Sequence, residues 1–134
     1  MAAMSDYLEA QLLNLIFRTQ TAWKPSAIYF ALYTAAPSDS GGGTEVTGGS
    51  YARVQVTQAD ANWNAPGTGG LTDNVSAITF AAATANWGTV THVGIFDAST
   101  SGNLLFHGAL TSSKTVNSGD TFRFSAGDMD ITLA

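Results

Sequence analysis

The sequence contains no cysteine and very little charge, and each absence narrows what the protein can be. Without cysteine there is no disulfide, no thiolate metal site and no cysteine nucleophile, and the redox compartment stays open. Charged residues make up 11% of the chain, well below the roughly 25% typical of globular domains. So sparse a charge does little to repel neighbouring molecules, which is typical of a protein held in an assembly. An ordinary threonine-rich or secreted β-domain is the alternative.

Positive charge is especially scarce, which excludes one class of partner. Five basic residues against ten acidic residues give a net charge of −5, and the basic residues are scattered, so no nucleic-acid partner is expected. No apolar run approaches the roughly 18 residues of a membrane span. The first residues also lack the basic region and apolar stretch of a signal peptide. We therefore expect no membrane contact and no secretory leader.

One helical pattern stands near the N-terminus, over residues 5–18. Ser5 is suited to cap this helix, because its hydroxyl can accept from a free amide one turn further on. Leu8, Leu12, Leu15 and Ile16 follow i, i+4, i+7, i+8 spacing and form an apolar stripe. A stripe on so short a helix needs a cover, either the open end of a β-sandwich or a partner chain.

The rest of the chain has the pattern of an all-β domain, in which branched and aromatic runs alternate with glycine-rich turns. The predicted strands are residues 27–34, 51–57, 75–83, 93–96 and 104–110, with a closing strand region in 119–134. Polar, glycine-rich loops are predicted at 37–50 and 58–74. The spacing predicts a single domain over residues 1–134, with the helix at 5–18. Residues 27–134 are predicted to form a β-sandwich of jelly-roll or Greek-key type.

Residues that could carry chemistry are few, and their patterns favour structural roles. His92 and His107 fall in strand patterns without a Gly-x-Ser-x-Gly elbow, so cross-strand packing is expected for both. Asp128 and Asp130 share a strand face, but no spaced aspartate loop typical of a calcium site surrounds them. The glycine runs lack the Lys-Ser/Thr of a phosphate-binding loop. We expect no enzyme, no metal and no cofactor.

Aromatic residues supply the remaining candidates for contact with a partner. Trp63 lies in a polar loop and is expected to be exposed, where it could anchor an interface or stack on a ligand. Trp87 precedes a turn glycine and is expected to fill the core. The predicted interface residues are Leu8, Leu12, Leu15, Ile16, Glu45, Tyr51 and Trp63.

Several segments together resemble a family of small tailed-bacteriophage proteins usually labelled tail fibre protein. They are GGSYAR at 48–53, ITF at 78–80, WGTVTHVGIFD at 87–97, GNLLFHGAL at 102–110 and VNSGDTF at 116–122. The opening SDYLE at 5–9, with LLN at 12–14, and the strand at 29–34 before Pro37 fit the same pattern. The resemblance covers nearly the whole chain and carries no catalytic residues.

The resemblance implies a structural protein of the virion, assembled in the host cytoplasm. A chain of this length is short for a fibre, and small β-domains often stud the outside of phage heads, so head decoration is the leading hypothesis. Its partners would be the major capsid protein or other virion proteins, and the protein itself would form a homodimer or homotrimer. The alternative is a tail fibre or tail-tip component that binds the host surface through Trp63 and the glycine-rich loops. A jelly-roll protein that binds or cleaves glycans is a remote third possibility.

Overall fold

The structure, a computed structural model, describes residues 2–133 as one helix and a set of antiparallel strands. The helix α1 spans Asp6–Phe17. The strands are β1 (Ala3–Met4), β2 (Ile28–Ala35), β3 (Thr44–Glu45), β4 (Val54–Val56), β5 (Leu71–Thr72), β6 (Ile78–Thr79), β7 (Gly88–Phe96), β8 (Leu104–Val116), β9 (Arg123–Phe124) and β10 (Ile131–Thr132). The long strands β2, β7 and β8 are neighbours, so they form the framework on which the short elements pack.

A six-stranded sheet forms the main layer, with the order β1-β8-β7-β2-β3 and β4 also paired with β2. Short two-stranded sheets, β6 with β9 and β5 with β10, lie outside it. The register of β8 against β7 shifts in the middle, because Val90 pairs with Lys114 whereas His92 pairs with Ala109. Residues 110–113 therefore bulge opposite Thr91, which is a device that bends a strand and disturbs its free edge.

Alternation along the long strands separates two apolar clusters on opposite faces of the main sheet. Phe30 and Leu32 point into the larger cluster, while Ala31 and Tyr33 belong to a smaller one with Phe96 and Leu104. The larger cluster is closed by β6, β9 and their flanking residues, which contribute Ile78, Phe80, Phe122 and Phe124. These aromatic rings contact one another edge to face, with Phe122 and Phe124 centroids 5.0 Å apart.

The prediction of a mainly β fold with one N-terminal helix is confirmed, and the two layers are consistent with a β-sandwich. Several strand lengths differ from the sequence prediction. β4 and β6 are shorter than the predicted 51–57 and 75–83, whereas β8 continues to Val116 rather than ending at Leu110. The predicted loop 58–74 contains β5, which pairs with β10 near the C-terminus. Long-range pairing thus created strands where local propensity was weak.

The helix begins as its sequence predicts. Ser5 has extended backbone angles, its hydroxyl accepts from the Leu8 amide at 3.2 Å, and the Ser5 amide donates to the Leu105 carbonyl at 2.9 Å. Asp6 and Glu9 lie in the first turn, where the helix dipole favours negative charge. The cap therefore both starts α1 and fastens it to β8.

Candidate functional site

Two of the predicted interface residues, Glu45 and Tyr51, lie inside a hydrogen-bonded network around Arg53. The guanidinium binds the Glu45 carboxylate through two parallel contacts of 2.8 Å, from Nε to Oε1 and from Nη2 to Oε2. The Tyr51 hydroxyl donates to Glu45 Oε1 at 2.9 Å and accepts from the Leu32 amide at 2.9 Å. β3 and the segment leading into β4 are thereby joined across β2.

The Arg53 side chain is almost wholly enclosed. It is 7% exposed, whereas that of Glu45 is 25% exposed. Its Nη1 donates to the carbonyls of Ala98 at 3.0 Å and Ser101 at 2.8 Å, and its plane lies 3.7 Å from the centre of the Phe96 ring. The guanidinium therefore holds the loop between β7 and β8 against β3, which makes it a structural clamp.

The electrostatics of the network follow from burial. Burial raises the pKa of the Tyr51 hydroxyl well above its ordinary value of 10.0, and the neighbouring Glu45 charge adds to the rise. Burial alone would lower the pKa of Arg53, but its hydrogen bonds to Glu45 and the attraction of that carboxylate outweigh it and the pKa is raised. Arg53 and Glu45 thus stabilise each other as an ion pair, and Tyr51 stays protonated beside them.

The structure places Trp63 differently from the expectation of an exposed loop side chain. Trp63 is half-buried and stacks on Phe30 of the core at a centroid distance of 6.0 Å and an interplanar angle of 19°. Its Nε1 is buried and makes no hydrogen bond. The loop folds back because it forms a bridge between Trp63 and Asn74. The exposure that favoured Trp63 as a ligand contact is therefore wrong.

Trp87 fills the core as predicted. It is buried, packs edge-on against Tyr51 at 5.4 Å, and its Nε1 donates to the Gly49 carbonyl at 3.0 Å. Gly49 has a φ of 55°, and a Cβ there would lie 2.9 Å from the indole nitrogen. The GGSYAR segment is therefore the lid over this tryptophan, which gives its glycines a packing role.

The predicted apolar stripe of α1 divides into a buried part and an exposed part. Leu8 is buried against the sheet and Leu12 is half-buried, whereas Leu15 and Ile16 are exposed by 37% and 67%. Two further apolar side chains are also in solvent, Leu13 at 58% and Phe17 at 77%. The exposed face of α1 is thus defined by Leu13, Ile16 and Phe17.

The titratable side chains considered for catalysis or metal binding make structural contacts. His92 Nδ1 lies 2.8 Å from Thr91 Oγ1, and His107 Nε2 lies 2.8 Å from Asp39 Oδ1. Asp128 closes a turn by accepting from the Ser125 amide at 2.9 Å. Within residues 2–133, no group of three or more histidine or carboxylate side chains is placed to hold a metal ion.

A groove of roughly 370 Å³ lies between the bulged part of β8 and the segment 122–130. Its floor includes Val93 and Phe124, and its rim carries Lys114 and Asp130. Sequence reasoning did not anticipate this groove, because the bulge that forms it depends on the register of β8.

Asn74, which sequence analysis did not single out, organises the far end of the molecule. This buried side chain donates to the carbonyls of Ser76 at 2.8 Å and Ser125 at 3.0 Å and accepts from the Met129 amide at 2.9 Å. A lone asparagine in a polar loop gives no sequence signal of such a role.

Comparison with protein families identifies the class of protein to which this fold and these surfaces belong. A family model described as podophage GP4 fiber I protein gp80 matches residues 3–132. The match spans nearly the whole chain, so the chain belongs to this family of tailed-phage fibre proteins. The protein is therefore a structural component of a phage virion. No curated protein matches the chain. No helix among residues 2–133 has the length and hydropathy needed to cross a membrane.

Proposed function

We propose that this protein is a non-enzymatic component of a phage tail fibre that helps the particle bind its host surface. The observation that carries the proposal is the match of residues 3–132 to a fibre protein family. It favours the tail-fibre alternative of the sequence analysis over head decoration.

The use of the polar side chains supports a structural role. The buried charges of Arg53 and Glu45 neutralise each other, and His107 is held by Asp39. Such groups hold loops and strands in place, which is what a rigid adhesive subunit requires of them. An enzyme would instead keep a base or nucleophile directed at a substrate.

Exposed polar loops are the host-facing surface in this proposal. Residues 64–69 are exposed and uncharged, and the loop around Gly42 is similarly open and carries the single charge of Asp39. Hydroxyl and amide groups on such loops can hydrogen-bond a glycan or a receptor protein without a charge of the matching sign. Trp63 would support the first loop from below through its stack on Phe30.

The decisive experiment is cryo-electron microscopy of the intact particle, with head and tail refined separately. Density for this fold on the tail supports the proposal, whereas many copies on the head lattice would establish decoration and overturn it. The host-binding part is tested by adsorption competition with the purified protein. Thr68→Lys should weaken the competition because it puts a charge on the exposed loop, while Thr115→Lys, on exposed β8, is the matched control. Equal competition by both variants would remove the loop from the binding surface.

A further inference from the structure

We propose that the exposed face of α1 binds the same face of a second copy of this chain, with the two helices antiparallel. Each helix would cover Leu13, Ile16 and Phe17 of the other. The pairing goes beyond the proposed function and holds equally for a subunit on the tail or on the head.

The face is apolar where a surface helix is normally polar. Glu9, Leu13 and Ile16, and likewise Ala10, Leu13 and Phe17, recur at intervals of three and four and therefore lie on one side of α1. Leu8 occupies the opposite, buried side. A helix with apolar residues on both sides is stable in water only when both sides are covered.

Neighbouring parts of the chain do not provide this cover. The segment after α1 returns along a different side, because Gln20 Nε2 binds Gln11 Oε1 at 2.6 Å and Trp23 packs edge-on against Tyr7 at 6.0 Å. Leu13, Ile16 and Phe17 remain more than half exposed with that segment in place.

Charge on α1 points to a second copy as the occupant. The N-terminal end carries Asp6 and Glu9, and Arg18 follows the C-terminal end. Neither ion pair in the described residues uses any of these three side chains. A two-fold axis near Leu13 would set the acidic end of each helix beside Arg18 of the other and would oppose the helix dipoles. The face is therefore complementary to itself in the antiparallel sense only.

The expected dimer is weak. A helix of 12 residues is about 18 Å long, and one such face is smaller than the roughly 800 Å² that each partner buries in a standard interface. We expect a reversible dimer whose population depends on concentration, and which the repeated geometry of a fibre would reinforce by avidity.

Sedimentation of the purified chain over a range of concentrations tests the pairing. Phe17→Ser should raise the dissociation constant at least about tenfold, whereas Val75→Ser, an exposed valine elsewhere, should leave it unchanged. Both side chains are in solvent in the single chain, so thermal unfolding of the monomer should be unaffected. A chain that stays monomeric at millimolar concentration, or a Phe17→Ser variant that dimerises like the parent, would overturn the proposal.

Charge reversal tests the direction. Glu9→Arg and Arg18→Glu should each weaken the dimer, and the double variant should restore it, because the contacts are exchanged between copies. The cysteine-free chain also allows Leu13→Cys to be oxidised, which should give a covalent dimer, while Val75→Cys should not. Weakening without restoration, or loss of virion incorporation in a strictly monomeric chain, would instead indicate a different virion protein on this face.

Discussion

Replacing Arg53 by methionine keeps most of the side-chain volume but removes the charge that holds three parts of the fold together. The variant loses both contacts with the Glu45 carboxylate and both hydrogen bonds to the loop carbonyls of Ala98 and Ser101. It also leaves Glu45 with the Tyr51 hydroxyl as its remaining partner in the network.

The magnitude follows from how deeply the pair is buried. Removing one partner of a buried ion pair costs about 3–5 kcal/mol, because the other charge is left uncompensated. Glu45 keeps 25% of its side-chain surface in water, so water can partly solvate the abandoned carboxylate. We therefore expect a loss of about 3 kcal/mol. For a chain of this size that loss lowers the melting temperature by roughly 10 °C.

Urea denaturation followed by circular dichroism measures this loss directly. Arg123→Met is the control, because Arg123 is exposed on β9 and belongs to neither ion pair of the described residues. We expect the control to stay within about 0.5 kcal/mol of the parent. The double variant Arg53→Met, Glu45→Gln should lose less than the two single variants combined. Strict additivity, or an Arg53→Met variant as stable as the control, would show that the pair does not clamp the fold.

Three further predictions concern pH, packing and a buried amide. The raised pKa values of Tyr51 and Tyr33 mean that the folded chain keeps protons that the unfolded chain releases above pH 10.0; the unfolding free energy should therefore be level below pH 10 and fall above it, and Tyr51→Phe should reduce that fall in urea titrations. Gly94→Ala should cost about 1–3 kcal/mol, because its Cβ would lie 3.0 Å from the Tyr33 ring, and an unchanged melting temperature would refute the tight contact. Asn74→Ala should cost about 3 kcal/mol by leaving the Met129 amide and two carbonyls unpaired, and hydrogen exchange at Met129 should quicken.

The helix and the long strands could be predicted because their signals are local. Ser5 caps a helix through an amide three residues away, and alternation in β2 depends only on neighbouring residues. The same locality explains the errors. β5 and β10 are each two residues long and exist only because they pair with each other across the chain. The extended end of β8 depends likewise on its pairing with β7.

The candidate site was less predictable than the fold. Glu45 and Tyr51 were correctly noticed as unusual polar residues near apolar strands, but their partner Arg53 was not, because the contact forms only when β3 and β4 both pair with β2. Trp63 stands in a polar segment, and nothing in that segment indicates that it stacks on Phe30. For α1, apolar residues lie on both sides, so periodicity could not decide which side faces the sheet.

The sequence alone determined the class of fold, the position of the helix and the resemblance to tailed-phage fibre proteins, since composition, short-range periodicity and motif order are properties of the linear chain. Only the tertiary structure decided that Arg53 is a buried clamp, that Trp63 supports its loop from within, and that Leu13, Ile16 and Phe17 are the side chains left in solvent. The physical reason is that burial is a property of surfaces brought together from distant parts of the chain, and no local pattern specifies which surface remains uncovered.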